Sequence, residues 1–429
     1  MKILFLTQYF PPEIGAAQNR LNDLASRLSL AGHSVTVLTS LPNYPKGEFF
    51  EGFRSKLFMT ANSKGLRIVR IWVYATKKKS FLPRILNYLS FSLLSCVAGL
   101  FTGSADVVFA ESPPLFLGAS GYVLSAMKRA RFVLNISDLW PESAVAVGML
   151  RNQRVIHWAT RLEEGLYRRA TLVTGQTQGI VDSIHHRCPA TQVALMTNGV
   201  APEFIELAEQ CRAQRGRMQL ELGVKGKFVV GYAGLHGLVY GLDDVLEVAR
   251  SLSDVKDIAF VLIGDGPEKA RLQEKALQQK IHNVSFHPSQ PAVRMPEILS
   301  AMDVALITLK KHDLFKGTLP SKLFEAMGAG IPVVAAMEGE AKSVIVRANC
   351  GICVEPENVA GISKAILRLF HDPRFCGQLG ENGRQYVAVH YNRKVTAERF
   401  EALLLASLPS RFEVSEETRA LRTGSGPKT

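Results

Sequence analysis

Two separate series of short, uncharged apolar runs, each run followed by a segment of helical periodicity, constrain this chain most. The first series opens with Lys2–Thr7, Ser34–Thr39, Asp106–Ala110 and Phe132–Ile136. The second opens with Phe228–Ala233 and continues through Ile258–Ile263, Val284–Phe286, Asp303–Leu309, Val333–Ala336 and Ile352–Val354. Runs apolar at every position belong to strands covered on both faces, and the 3.6-residue periodicity between them supplies the covering helices. Such alternation predicts parallel sheets of the doubly wound α/β type, and 429 residues exceed what one core of that kind holds. Two domains follow: 1–200, and 201–385 entered through a polar connection from Asn198-Gly199-Val200 to Lys227. A helix over 386–408 is expected to return to the first domain, and the polar tail 409–429 to be disordered.

In open α/β sheets ligands bind beyond the carboxyl ends of the strands. The loops at those ends are rich here: Tyr9, Glu13 and Gly15; Pro42-Asn-Tyr-Pro45; Glu111-Ser-Pro-Pro114; Asp138-Leu-Trp-Pro-Glu142; Gly231 to Gly237; Gly264-Asp265-Gly-Pro267. Small residues at 15–17 and glycine at 264 permit a close backbone approach. Asp138 and Glu142 are candidate acids, bases or sugar-hydroxyl acceptors, and His236 is placed to face a phosphate or the surface. The densest group is Pro320-Ser-Lys-Leu-Phe-Glu-Ala-Met-Gly-Ala-Gly-Ile-Pro332. Ser321 is expected to cap a short helix whose free N–H groups, with Lys322, suit a diphosphate. Glu325, one turn on, suits the paired hydroxyls of a ribose or sugar. That combination points to a sugar nucleotide.

Charge divides unevenly. Residues 1–200 carry 22 lysines and arginines against 11 acids, whereas 201–429 carry 29 against 27. The excess in the first half fits an anionic partner, and with no zinc-finger, RNP or helix-turn-helix signature, nucleic acid is excluded in favour of a membrane leaflet or phosphorylated acceptor. Residues 85–105 hold no charge, and Lys77-Lys-Lys79 and Arg84 precede them. Asn87, four serines and Gly99 argue against a span, so the segment reads as a membrane-proximal helix packed on the first domain. Six scattered cysteines give no disulfide framework, and Cys350-Gly-Ile-Cys353 lacks a second pair for zinc.

The sequence from Met1 to about Leu405 resembles the family-4 glycosyltransferases of the GT-B fold, two Rossmann-like domains facing each other across a cleft. The resemblance is carried by Tyr9-Phe-Pro-Pro-Glu13 with Gly15, Asp138-Leu-Trp-Pro-Glu142, Asn198-Gly-Val200, Gly264-Asp-Gly-Pro267 and Pro320-Ser-Lys-Leu-Phe-Glu-Ala-Met327. Ser112-Pro-Pro-Leu115 is similar to the subgroup that builds bacterial surface polysaccharides and O-antigen, including N-acetylfucosaminyltransferases. The resemblance implies a retaining, metal-independent enzyme with no cofactor. It implies a nucleotide-sugar donor, such as UDP-N-acetylfucosamine, held in the second domain by Glu325, Lys322, His236, Gly264, Asp265, Thr318, Leu319 and Ser321. A polyprenyl-diphosphate-linked saccharide acceptor is then expected at Tyr9, Glu13, Gly15, Glu111 and Glu142, with Lys322, Asp138 and Glu325 as catalytic residues. Its expected place is the cytoplasm, peripheral on the inner face of the bacterial cytoplasmic membrane, against an anionic surface. Two positions depart from the family: Gly317 stands where the first Glu of Glu-x7-Glu is usual, and Tyr240-Gly241 replaces Lys-Gly. A GT-B nucleotide-sugar epimerase and a non-catalytic nucleotide- or glycan-binding protein are the alternatives.

Overall fold

The computed structural model describes residues 1–407 apart from 46, 55, 79, 80 and 147; the expected tail 409–429 and part of the 77–79 lysine run lie outside the described residues. The first sheet contains β1 (Lys2–Leu6), β2 (Ser34–Ser40), β3 (Phe58–Ser63), β4 (Leu66–Ile71), β5 (Val107–Ser112), β6 (Arg131–Ile136), β7 (Leu172–Gly175) and β8 (Val193–Leu195). Their order is β3-β4-β2-β1-β5-β6-β7-β8, and all are parallel except β3, which pairs antiparallel with β4. The second sheet contains β9 (Phe228–Ala233), β10 (Ile258–Ile263), β11 (Val284–His287), β12 (Val304–Thr308), β13 (Val333–Ala336) and β14 (Gly351–Val354), in the order β11-β10-β9-β12-β13-β14 and wholly parallel. Both sheets reverse strand order beside their first strand, at β1/β5 and β9/β12, and the crevices there are where a doubly wound sheet binds ligands. The sequence-based reading lacked β3, β4, β7 and β8. β7 and β8 have four and three residues, and β3 is an exposed edge strand alternating with polar positions.

The expected polar connection to Lys227 is instead helical over Pro202–Cys211 and Arg215–Glu221, because Ala208, Met218, Leu222 and Val224 join the second core with Val229 and Leu323. The helix Arg393–Ala406 packs on the first domain: Ala397, Phe400 and Leu404 share a core with Ile3, Phe5 and Phe109. The two passages between domains lie side by side, with Val200 N–H donating to Tyr391 O at 2.9 Å and Arg393 N–H to Val200 O at 3.0 Å.

The uncharged segment forms a helix over Phe81–Leu100, ending five residues short of 105 where the chain turns and Gly103 takes φ +89°. Its serines serve packing: Ser92 is buried and its carbonyl accepts from Ser120 Oγ of the helix Leu115–Lys128 at 2.8 Å. No helix among the described residues is long and apolar enough to cross a membrane.

Two glycine loops of the second domain pack backbone to backbone. Gly264 has φ +148°, and a Cβ on it would run into the Gly234 carbonyl. Gly264→Ala is therefore expected to cost about 2 kcal/mol or more and lower the midpoint of the second domain's thermal transition by roughly 4–8 °C; calorimetry showing an unshifted transition would refute this packing.

Candidate active site

Lys322 lies in the first turn of the helix Ser321–Gly328, at the crevice end of β12. The residue before the helix is Pro320, so Ser321 is its first helical residue and not the expected cap, and no side chain caps this end. The Lys322 ammonium sits 3.9 Å from the ring centre of Tyr232 and 4.3 Å from that of Tyr240, with Gly234 against it. Its Nζ is buried and makes no hydrogen bond. Burial lowers its pKa to about 7, against the pull of Glu325. A desolvated cation between two aromatic faces, beside an uncapped helix N-terminus, is a ready partner for an anion. Tyr240, at the position where the family pattern has lysine, thus supplies no charge but shelters the charge of Lys322.

Glu325 is raised by burial and drawn down by Arg393 and then Lys322. Arg393 donates to Asn198 Oδ1 at 3.2 Å, and its Nε is buried without a partner. Thr318 and Leu319 lead into the helix, Leu319 as a core residue. Three other residues expected on this side have packing or partners of their own. His236 is fully buried between Tyr232 and Phe286, and burial, with Lys269 and Lys322, lowers it to about 4, so at neutral pH it carries no charge for a phosphate. Asp265 is bound to Lys269 at 3.4 Å and to Ser289. Gly264 approaches Gly234 and not open space.

Across the crevice, Asp138 follows β6 on the floor of the first domain. It is open to the cleft, yet the enclosing protein and then Glu111 raise its carboxyl to about 6, with Arg20 opposing. Glu111 and Glu13, expected at an acceptor, are committed within the fold. Glu111 is buried and accepts from Arg20 at 2.7 Å, Asn135 at 2.5 Å and Ser137. Glu13 accepts from the N–H groups of Phe10, Asn43 and Tyr44 and so pins two loops together. Glu142 pairs with Arg187 at 3.1 Å, and Gly15 caps the helix Ala16–Leu30, where a Cβ would strike the Gln18 side chain. Tyr9 packs against Tyr44 at 5.2 Å between ring centroids, and burial raises its phenol. Tyr240 feels both Tyr44 and Asp138, which places the Lys322 cage opposite this floor. Tyr232, Arg20 and Arg393 had no sequence signal: one is a strand residue, the others are unremarkable helix positions. The cysteines of Cys350-x-x-Cys353 are free, and burial pushes them to about 12 and 11, out of the reactive range.

Two family profiles match the chain: "Glycosyl transferase 4-like domain" over residues 15–199 and "Glycosyl transferases group 1" over 218–386. Between them the two profiles span both domains, and the chain belongs to the glycosyltransferases. With its two facing parallel-sheet domains it is a glycosyltransferase of GT-B fold. Among curated relatives it is similar to WcaI of Escherichia coli strain K12, described as a colanic acid biosynthesis glycosyl transferase, at 28% identity over 389 residues, covering 87% of this chain and 94% of that one. It is also similar to the glycosyltransferase WbjE of Pseudomonas aeruginosa, at 24% identity, covering 69% and 74% of the two chains. The crystal structure of Anabaena HepE in complex with UDP-glucose shares the fold, with a TM-score of 0.71 at 19% identity, covering 95% of this chain and 100% of that one.

In this glycosyltransferase the folded value of Lys322, about 7, lies below that of an unfolded lysine. Between pH 7 and about 10 the folded chain then holds fewer protons than the unfolded one. The stability due to this residue rises through that window and is lost as pH falls toward 7. The denaturation midpoint of wild type relative to Lys322→Met is expected to climb from pH 7 to 10; a flat difference would mean that Nζ is not desolvated.

Proposed function

We propose that this glycosyltransferase moves a sugar from a nucleoside-diphosphate sugar to a polyprenyl-diphosphate-linked saccharide during surface-polysaccharide or O-antigen assembly, with retention and without a metal. The donor is a UDP-N-acetyl-deoxyhexosamine such as UDP-N-acetylfucosamine, following the Ser112-Pro-Pro-Leu115 subgroup likeness. Residues 201–385 hold the donor, 1–200 the acceptor, and the helix Arg393–Ala406 ties them. The observation that carries this reading is the Lys322 ammonium, caged by Tyr232 and Tyr240 and lacking a counter-ion one turn from Glu325. The likeness to WcaI and to the UDP-glucose complex of HepE supports it.

As the glycosidic bond breaks, negative charge grows on the leaving diphosphate. Lys322 and the uncapped helix N-terminus face that charge in a site with little water, where they are most effective. Glu325 accepts the hydroxyls of the ribose, and Arg393 draws its carboxyl back down against the upward push of burial. The acceptor hydroxyl attacks from the same face and passes its proton to the departing phosphate oxygen, while Asp138, near half-protonated at pH 6, orients the sugar. Charge stabilisation by Lys322 leaves no role that requires a metal.

The outer face of Phe81–Leu100, where Leu82, Leu93 and Val97 are 66%, 68% and 58% exposed, and the basic first half suit a peripheral position on the anionic inner leaflet of the cytoplasmic membrane.

UDP is expected to raise the thermal midpoint of wild type, as any ligand of the folded state alone does, and Glu325→Gln to remove most of that shift. Lys322→Ala is expected to lower kcat by about 10²–10³-fold at saturating donor. No shift with UDP, GDP or dTDP would favour the glycan-binding alternative, and near-wild-type turnover of Lys322→Ala would overturn the mechanism.

A further inference from the structure

The helix Phe81–Leu100 has two faces with different tasks. Leu82, Leu86, Leu93 and Val97 share one stripe at helical spacing and stand exposed. The opposite stripe carries Arg84, Asn87, Tyr88 and the buried Phe91, and it faces the cleft floor. Asn87 Oδ1 accepts from Gln8 Nε2 at 2.6 Å, and Asn87 Nδ2 donates to the Tyr74 carbonyl at 2.9 Å, so the helix is bolted to the loop that carries Tyr9. Tyr88 shares a hydrogen bond with Tyr9, and Tyr9 lies 5.2 Å from Tyr44. Burial raises all three phenols, and Arg84, one turn before Tyr88 on the same helix face, pulls each of them back.

Arg84 is half-buried, and the hydrogen bond recorded for it is a weak one to Met149 Sδ at 3.1 Å. Among the described residues no carboxylate is within ion-pair distance of it. Glu13, the acid nearest the phenols, spends its oxygens on the backbone of Phe10, Asn43 and Tyr44. A guanidinium without a counter-ion, one helical turn from the Tyr88 hydroxyl and close enough to those of Tyr9 and Tyr44 to influence them, matches an oxyanion with several acceptor atoms. On one side the cluster adjoins the apolar outer stripe through its own helix. On the other, Tyr44 approaches Tyr240, which shelters Lys322.

We infer that Arg84, with the hydroxyls of Tyr9, Tyr44 and Tyr88, forms a subsite for the diphosphate of an isoprenoid-linked acceptor that enters from the apolar face of Phe81–Leu100. The inference rests on the lipid-linked acceptor proposed above and assigns the residues that hold its charged joint. The isoprenoid lies along Leu82 and Leu86 and passes round the first turns of the helix, so that the diphosphate meets Arg84 on the other face and the sugar beyond it reaches Asp138. A free sugar phosphate gains nothing from the outer stripe, so the apolar chain is part of what the site selects.

Titration calorimetry on the full chain with saturating UDP, which fills the donor pocket, tests this with farnesyl diphosphate, farnesol and inorganic diphosphate as probes. Wild type is expected to bind farnesyl diphosphate at least about tenfold more tightly than either of the others, because each lacks one half of the match. Arg84→Gln is expected to weaken farnesyl diphosphate about tenfold or more, and Arg84→Lys by much less, while both keep the UDP affinity and thermal midpoint of wild type. Equal affinity in Arg84→Gln overturns the subsite, as does equal binding of inorganic diphosphate or displacement of farnesyl diphosphate by UDP. Wild type that binds UDP but no farnesyl diphosphate removes the lipid-linked acceptor itself, and failure to bind UDP removes the donor reading instead.

Discussion

One buried cation, held between aromatic faces, organises this molecule. Lys322 is held by ring faces at 3.9 and 4.3 Å and by the backbone of Gly234, none of which neutralises it. A buried charge left in that condition costs free energy unless something else favours it, which is why its pKa falls to about 7. The second domain spends several features on keeping it so. Gly234 and Gly264 let two loops meet closely, Tyr232 comes from the central strand β9, and Tyr240 from the turn before Leu242–Ser251. Each would be an odd choice for stability alone.

The first domain answers with the opposite economy: its buried charges are matched to one another. Arg20 with Glu111, Arg187 with Glu163, and Glu13 with three backbone N–H groups fix the loops at the ends of β1, β2, β5 and β6. Breaking such a matched set strands one partner in a medium that solvates it poorly. Asp138, Arg84 and the phenols stand outside these matched sets. Commitment of most carboxylates to the scaffold thus leaves a small set of groups to do chemistry.

Doubly wound sheets were legible in the sequence because parallel strands buried on both faces are apolar throughout, and ten of the fourteen strands announce themselves that way. Of those that did not, β7 and β8 are short and β3 lies at an edge, where a solvent-facing side erases the signal, while β4 carries Arg67 and Arg70 among its apolar positions. Lys322, Glu325 and Asp138 stood out because motif and position agreed. The roles of Glu13, Glu111 and His236 could not be read, since a carboxylate that pins loops and one that holds a sugar look alike until its partners are known. Arg393 shows the reverse difficulty: its neighbour Asn198 lies 195 residues away in sequence, and no local pattern foretells such a meeting.

The paired passages between the domains carry a mechanical consequence. Two strings that run side by side and are stitched at Val200, Tyr391 and Arg393 resist shear and twist between the halves but still bend together, as a door does on two screws in one hinge plate. A relative motion of the two domains would then meet least resistance as rotation about a line near the stitch. Points far from that line travel furthest. The aromatic cage and the cleft floor, on opposite leaves, then meet in the same register each time the leaves close.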